Sequence, residues 1–241
     1  MNTLFEKLKI YGPKRFFTFA FYEIYNRFFV RYIKKSYSQY GEDLVIDRLL
    51  KNKKRGFYVD IGAYDPDRFS NTKRFYLKGW NGINIEPNVV NYNRFIDKRK
   101  RDTNLNIGIG NTNEKLTFYT FIPDTLSTFS KVEADTYQKQ GYTLVSKKKV
   151  SVRKLEDVLK THIKHDTIDF MSIDTEGFEM AVLNSNDWKT FKPTVICIES
   201  RPHTEDYEKE CIMHDNILSF LNKKGYKLHF ENATNSIFLL N

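Results

Sequence analysis

The sequence predicts an α/β fold with a mostly parallel sheet of seven strands, one antiparallel strand, and a helical extension at the N-terminus. Three observations favour it. From Ser38 onward apolar strand segments alternate with helical segments, and one of the strands, Gly56–Ile61, runs directly into a glycine turn. The chain then closes with two short strands joined by a loop with turn residues, Glu231–Asn235. Alternating strands and helices favour a parallel, Rossmann-like sheet, and a terminal hairpin adds an antiparallel strand.

The individual elements follow from apolar periodicity and turn residues. We expect strands at 56–61, 83–86, 105–109, 115–121, 150–152, 168–173, 194–199, 226–230 and 236–240, and helices at 70–77, 89–97, 154–160, 179–183 and 206–222. The segment 115–121, KLTFYTF, alternates in polarity and is expected to extend the same sheet. Two basic runs, 98–101 and 147–149, lie between these elements and are interpreted as solvated charge.

Composition indicates one catalytic domain with an appendage, divided here into residues 1–37 and 38–241. Two cysteines, Cys197 and Cys211, are too few for a disulfide framework or a four-cysteine zinc site. A reducing, cytoplasmic compartment is therefore expected. The sequence shows no signal-peptide pattern and no uncharged apolar run of about 18 residues, so a spanning helix is not predicted.

The N-terminal segment is both basic and aromatic. The net charge of the chain is +9, and residues 1–35 hold eight Lys or Arg against two Glu. Its helical pattern places Glu23, Arg27 and Arg31 on one stripe, with aromatic and aliphatic residues over most of the rest. We expect this segment either to make peripheral contact with the anionic inner face of a membrane or to pack against the domain or a second subunit. No nucleic-acid-binding motif is present, and the oligomeric state stays open.

Carboxylates follow the predicted strands at their C-terminal ends. In an open α/β sheet these ends border the crevice that binds ligands. Glu86 comes 26 positions after Asp60, and that spacing suits a carboxylate that binds ribose hydroxyls after a glycine turn. The turn lacks the later glycines of a pyrophosphate site. The residues that share this strand-end position are Asp60, Glu86, Asp174 and Glu199.

Six segments together resemble the FkbM family of S-adenosylmethionine (SAM)-dependent methyltransferases. They are SQYGED at 38–43, GFYVDIGAYDP at 56–66, SNTKRFYLKGWNGINIEPN at 70–88, NIGIG at 106–110, LSTFS at 126–130 and IDFMSIDTEGFEMAVL at 168–183. Their order and spacing make the resemblance specific over roughly residues 38–200. It implies a Rossmann-like class I methyltransferase fold and O-methylation of a sugar or another hydroxyl-bearing molecule.

The resemblance also implies site residues. SAM contacts are expected near Gln39, Asp60, Gly62, Ala63, Asn71 and Glu86, with the adenine near Asn106 and Ile107. The D-x-E-G-x-E motif falls on Asp174, Glu176, Gly177 and Glu179.

Methyl transfer requires a nucleophile held about 3 Å from the methyl carbon and a group that removes its proton. We interpret Asp174 as facing the methyl donor and Glu179 as a buttress of the loop. The candidates for acid–base catalysis are Asp174, Glu176, Glu199 and His203. The three carboxylates could alternatively hold one Mg²⁺ that acidifies the hydroxyl, although their spacing does not identify a metal site.

The function predicted is SAM-dependent O-methylation of a sugar, glycan or glycolipid precursor. Two alternatives come from other classes: a non-catalytic SAM- or glycan-binding module at a membrane, and an NAD-dependent sugar oxidoreductase. The oxidoreductase is disfavoured because the chain lacks the third glycine of the dinucleotide fingerprint and a Tyr-x-x-x-Lys pair, since Gly141 follows Tyr137 at that spacing.

Overall fold

The computed structural model describes residues 35–163, 167–201 and 207–241. Its strands are β1 Phe57–Ile61, β2 Asn81–Ile85, β3 Thr103–Leu105, β4 Gly108–Ile109, β5 Glu114–Ile122, β6 Thr143–Arg153, β7 Phe170–Ile173, β8 Val195–Glu199, β9 Tyr226–Glu231 and β10 Asn235–Leu240. Its α-helices are α1 Glu42–Leu49, α2 Lys73–Leu77, α3 Val89–Lys98, α4 Lys131–Lys139, α5 Leu155–His162, α6 Glu179–Asn184 and α7 Tyr207–Lys223.

The main sheet has seven strands in the order β3-β2-β1-β7-β8-β10-β9. Strands β3, β2, β1, β7 and β8 pair in parallel. Strand β10 runs antiparallel to both of its neighbours, β8 and β9. The predicted mostly parallel sheet of seven strands with one antiparallel strand is therefore confirmed.

A second, three-stranded sheet lies in the order β4-β6-β5, and its β5 and β6 form a long antiparallel pair. The expectation that 115–121 extends the main sheet is therefore wrong. The segment predicted as one strand at 105–109 is also divided, since β3 belongs to the main sheet and β4 to the second one. We call residues 114–153 the insert; α4 and a 3₁₀ turn at Asp124–Leu126 lie within it.

The main core has two faces because successive residues of a strand point to opposite sides of the sheet. Val59 and Ile61 of β1 pack into the larger cluster with residues of α5, α6 and α7. Tyr58, the residue before Val59, packs into the second cluster with residues of α1 and α2. Helices on both faces bury the central strands and fix where their C-terminal ends lie.

The two basic runs are exposed, as expected, except at Arg99. Arg99 is fully buried and donates hydrogen bonds to the carbonyl of Pro66, the hydroxyl of Tyr58 and Ser70 Oγ. Lys147–Lys149 lies within β6, and its side chains are exposed as expected. The guanidinium of Arg99 thus has a structural role that charge patterning alone did not indicate, because its partners lie 29–41 positions away in sequence.

The predicted helical extension at 1–37 falls almost wholly outside the described residues, which begin at Lys35. Within the described ranges, no helix has both the length and the apolar character needed to cross a membrane.

Candidate active site

A cavity of about 450 Å³ lies at the C-terminal ends of β1, β2, β7 and β8, with residues of the insert on its other side. Strand register explains why these ends meet. Ile61 of β1 pairs with Ile85 of β2 and with Ile173 of β7, and Ile173 pairs with Ile198 of β8. The next residue of each strand therefore reaches the same edge of the sheet. This edge is where ligands bind in open α/β folds.

The glycine turn after β1 is held between its two neighbouring strands. The backbone amides of Gly62 and Ala63 donate to the carbonyl oxygen of Ile85 at 3.0 and 3.1 Å. Gly62 has φ +75°, and a Cβ there would lie 1.7 Å from the carbonyl oxygen of Asp174. Glycine is therefore needed at this position because the turn lies close to the backbone of Asp174, the residue that follows β7.

Glu86 follows β2 and lines the cavity. Its Oε2 accepts a hydrogen bond from the backbone amide of Tyr64 at 2.8 Å, and its Oε1 accepts one from the amide of Asn88 at 2.7 Å. Burial raises the pKa of Glu86 to about 8, and the nearby carboxylates of Asp124 and Asp60 add to the rise. These two hydrogen bonds from backbone amides fix the plane of the Glu86 carboxylate and leave further lone pairs for the hydroxyls of a ligand.

Asp60 lies at the base of the cavity, where Thr72 Oγ1 donates to its Oδ2 at 2.7 Å. Burial raises the pKa of Asp60 to about 6. Asn71 lines the same region and donates through Nδ2 to Ser172 Oγ of β7 at 3.0 Å. These side chains connect β1, β7 and the segment before α2 across the cavity base.

The structure brings most of the predicted cofactor residues to one cavity, and Asn106 is the exception. The lining includes Gln39, Asp60, Gly62, Ala63, Asn71, Glu86 and Ile107. Asn106 instead donates through Nδ2 to the backbone carbonyls of Glu86 and Pro87 at 2.8 and 3.0 Å. Its side chain supports the turn after β2, so its neighbour Ile107 is the one that lines the cavity.

Three of the four predicted catalytic residues form a compact acidic cluster, which we call the carboxylate triad: Asp174, Glu176 and Glu199. Each offers an oxygen, and these oxygens lie within 4.8 Å of one another. Tyr137 of α4 donates its hydroxyl to Oε2 of Glu176 at 2.8 Å. Glu199 is buried, and its Oε2 has no hydrogen-bond partner among the described residues. The fourth predicted residue, His203, lies outside the described residues.

The triad is strongly electronegative. The Asp174 side chain is exposed to the cavity, but the surrounding protein removes much of its solvation. This desolvation is the largest cause that raises the pKa of Asp174 to about 7, and the negative charges of Glu179 and Asp60 add to it. Burial and neighbouring carboxylates raise the pKa values of Glu176 and Glu199 well above their ordinary range. Within the described ranges, no Lys, Arg or His nitrogen pairs with any of the three. The arrangement suits chemistry that takes up a proton or a cation.

Glu179 has the buttress role that the sequence indicated. Its Oε1 accepts hydrogen bonds from the amide and the hydroxyl of Thr175, both at 2.8 Å, and its Oε2 accepts one from the amide of Gly177 at 3.0 Å. Glu176 and Gly177 both have positive φ, 52° and 98°. A non-glycine residue in the left-handed region costs energy, and the Glu179 bonds offset it by holding the loop that carries the triad.

Sequence reasoning missed the contribution of the insert. Phe118, Phe121, Asp124 and Phe129 line the cavity, and Phe118 and Phe129 pack with ring centroids 4.8 Å apart. The polarity alternation of 115–121 did predict a strand there. It could not show that the strand pairs with β6 and lies over the cavity, because that partner is distant in sequence.

The fold and the strand-end cavity define a class I methyltransferase architecture. The model of the family described as Methyltransferase FkbM domain matches residues 60–228 of the chain. The chain therefore belongs to the FkbM methyltransferase family. SAM-dependent methyl transfer is the activity that this membership implies.

Solved structures provide further similarities. The METTL16 methyltransferase domain has 13% identity and a TM-score of 0.44, with 83% of this chain and 65% of that one covered. The chain thus spans slightly less than two thirds of that domain. A putative caffeoyl-CoA O-methyltransferase from Staphylococcus aureus has 11% identity and a TM-score of 0.45, with 83% and 82% covered. No curated protein matches the chain significantly.

Proposed function

We propose that the protein transfers a methyl group from SAM to a hydroxyl of a sugar, glycan or glycolipid precursor. One observation carries the proposal: the predicted ribose carboxylate and the carboxylate triad line the same cavity at the strand ends. If SAM binds along the C-terminal ends of the strands, the carboxylate of Glu86 lies beside its ribose and the triad lies beside its methyl group. That division of roles is what SAM-dependent O-methylation requires.

In the proposed reaction Glu86 accepts hydrogen bonds from the ribose hydroxyls of SAM, and Asp60 supports the amino-acid portion. The acceptor hydroxyl lies beside Asp174, which removes its proton as the oxygen attacks the methyl carbon. The sulfonium loses its positive charge in this step and leaves as neutral S-adenosylhomocysteine. Holding nucleophile and methyl group in line supplies much of the rate acceleration.

The insert supports a ring-shaped acceptor. Phe118, Phe121 and Phe129 place aromatic surface on the cavity wall, whereas the triad supplies hydrogen-bond acceptors. Sugars present both an apolar ring face and hydroxyl donors, and they match a pocket that combines apolar walls with a few polar groups. Mg²⁺ is a further candidate cofactor of this reaction, because carboxylate oxygens are the ligands it prefers.

We place this activity in the cytoplasm, with the N-terminal segment in peripheral contact with an anionic membrane. Cys197 and Cys211 are both free thiols, which is consistent with a reducing compartment. Aromatic and basic residues in one segment are typical of interfacial helices. A glycolipid precursor would be presented at that surface.

The experiment is a turnover screen with SAM carrying a labelled methyl group, against extracted glycans and glycolipids. We expect S-adenosylhomocysteine to form together with one acceptor that gains the mass of one methyl group. Asp174→Asn is the matched control, with turnover expected to fall by about 10²-fold while SAM still binds. Tight SAM binding without turnover on any acceptor would instead indicate a binding module, and binding of NADH but not SAM would indicate an oxidoreductase.

A further inference from the structure

The carboxylate triad is assembled by two neighbouring strands and the loop between β7 and α6. Ile173 of β7 pairs with Ile198 of β8, so the residues that follow, Asp174 and Glu199, lie side by side. Glu176 is two residues further along the loop and completes the group. An octahedral Mg²⁺ site holds its ligand oxygens roughly 3–4 Å apart, since each lies about 2.1 Å from the ion. The oxygens here, within 4.8 Å, need only a small contraction.

A second observation distinguishes this cluster from an ordinary acidic patch. Glu199 is only 3% exposed, and its Oε2 has no hydrogen-bond partner among the described residues. An unpaired buried carboxylate oxygen is costly, and native proteins normally satisfy such an atom with a donor, a water or an ion. Glu199 is one of the residues that line the cavity, and its unpaired oxygen needs a donor or an ion that the described residues do not supply.

Several hydrogen-bond donors close to the carboxylate triad already have other partners, and the one that contacts it is uncharged. The amide and the hydroxyl of Thr175 and the amide of Gly177 donate to Glu179, so these three donors are not available to the triad. Tyr137 supplies one neutral hydroxyl to Glu176. In the part of the chain that the structure describes, no basic side chain compensates the three carboxylates.

We propose that Asp174, Glu176 and Glu199 bind one divalent cation that prefers oxygen ligands, of the Mg²⁺ or Mn²⁺ type. Three protein ligands leave positions open in an octahedral shell. An acceptor hydroxyl that occupies one of them becomes more acidic and is fixed in direction. Binding of the ion stands by itself, whereas its role toward the acceptor rests on the proposed function.

The test uses the full-length protein after treatment with EDTA, titrated with Mn²⁺ while the electron paramagnetic resonance signal of free Mn²⁺ is followed. We expect one ion per chain, displaced by excess Mg²⁺. Glu199→Gln and Asp174→Asn should each weaken Mn²⁺ binding about tenfold or more. Asp124→Asn, a carboxylate of the same cavity outside the triad, should leave Mn²⁺ affinity unchanged.

Circular dichroism is the control that should show whether each variant is folded. Asp174→Asn keeps the test decisive if Glu199→Gln does not fold, because the Asp174 side chain is open to the cavity. Absence of Mn²⁺ binding at millimolar concentration, or equal affinity in the wild type and both triad variants, would overturn the site. Turnover unaffected by EDTA would remove the ion from the reaction and leave methyl transfer standing. Mn²⁺ binding without SAM turnover would support the site and count against the proposed function.

Discussion

The hydroxyl of Tyr137 lies 2.8 Å from Oε2 of Glu176 and joins the insert to the loop that follows β7. Tyr137 is 1% exposed, and its ring packs edge-on against Phe121 and Tyr142. Burial raises the pKa of Tyr137 far above its ordinary value, so the hydroxyl stays protonated and acts as a donor. The insert therefore does more than cover the cavity: it orients one carboxylate of the triad.

Tyr137→Phe tests this relationship. The substitution keeps the ring packing and removes one hydrogen bond to a carboxyl group, a bond of about 1.5–3 kcal/mol when the carboxyl is charged. We expect kcat to fall by roughly tenfold while the KM for SAM is unchanged, as measured by S-adenosylhomocysteine formation. Tyr142→Phe is the control, because its ring packs beside Tyr137 and its hydroxyl makes no contact with the triad. An equal loss in both variants would show that the hydrogen bond to Glu176 is not the cause.

SAM affinity should depend on the ionisation of Glu86. Its pKa is raised to about 8 by burial, with Asp124 and Asp60 adding repulsion, so the carboxyl is mostly protonated at pH 7 in the free protein. The ionised form accepts both ribose hydroxyls, so affinity should increase with pH and level off above that value. The ionised fraction changes about tenfold between pH 7 and pH 9, and the apparent dissociation constant should change by the same factor.

Glu86→Gln provides the baseline, because the amino group of SAM titrates in the same range in both proteins. Calorimetry at several pH values should show weaker binding to the variant without the Glu86-dependent increase. Identical pH profiles in the two proteins would remove Glu86 from the ribose site.

The sequence predicted the parts of the site that depend on short-range patterns. A strand that ends in a carboxylate is visible locally, so Asp60, Glu86, Asp174 and Glu199 could all be placed at one edge of the sheet. The structural roles of Gly62 and Asn106 could not be predicted from such local patterns. Their contacts are with Asp174 and with the carbonyls after β2, and only the folded register of the strands brings these groups together.

The insert was missed for a similar reason. Strand β5 pairs with β6 from Glu114↔Val152 to Ile122↔Thr143, so the partners lie 21–38 positions apart. Alternating polarity indicates a strand and one apolar face, but it does not name the strand's partner. The aromatic wall of the cavity and the Tyr137 contact both depend on that pairing.

Gly62→Ala should destabilise the fold more than Gly41→Ala. Both glycines have positive φ, +75° and +96°, so alanine pays a similar backbone cost of about 1–2 kcal/mol at either position. At Gly41 a Cβ meets nothing within 4 Å, whereas at Gly62 it would overlap the carbonyl oxygen of Asp174. We expect a loss of roughly 3 kcal/mol or more for Gly62→Ala, measured by urea unfolding. Equal losses would show that β7 shifts away at little cost.

The N-terminal segment should attach the protein reversibly to anionic membranes. Residues 1–35 carry eight basic residues against two acidic ones, and each Lys or Arg near the surface contributes about 1 kcal/mol at most. Full-length protein should therefore sediment with phosphatidylserine vesicles at low salt and be released as salt screens the attraction. A chain that begins at Lys35 should stay in solution and still bind SAM; Lys35 is retained because its carbonyl accepts a hydrogen bond from Arg74.

Two full-length variants separate the electrostatic and apolar contributions to membrane binding. Replacing Arg27 and Arg31 with Gln should lower the salt sensitivity of sedimentation, because fewer charges meet the lipid. Replacing the Phe residues should weaken binding at every salt concentration, because their insertion supplies the apolar burial; these residues are Phe16, Phe17, Phe21, Phe28 and Phe29. If full-length protein ignores vesicles at low salt, or the shortened chain unfolds, the segment packs on the domain or a second subunit. A soluble acceptor would then be favoured over a lipid-linked one.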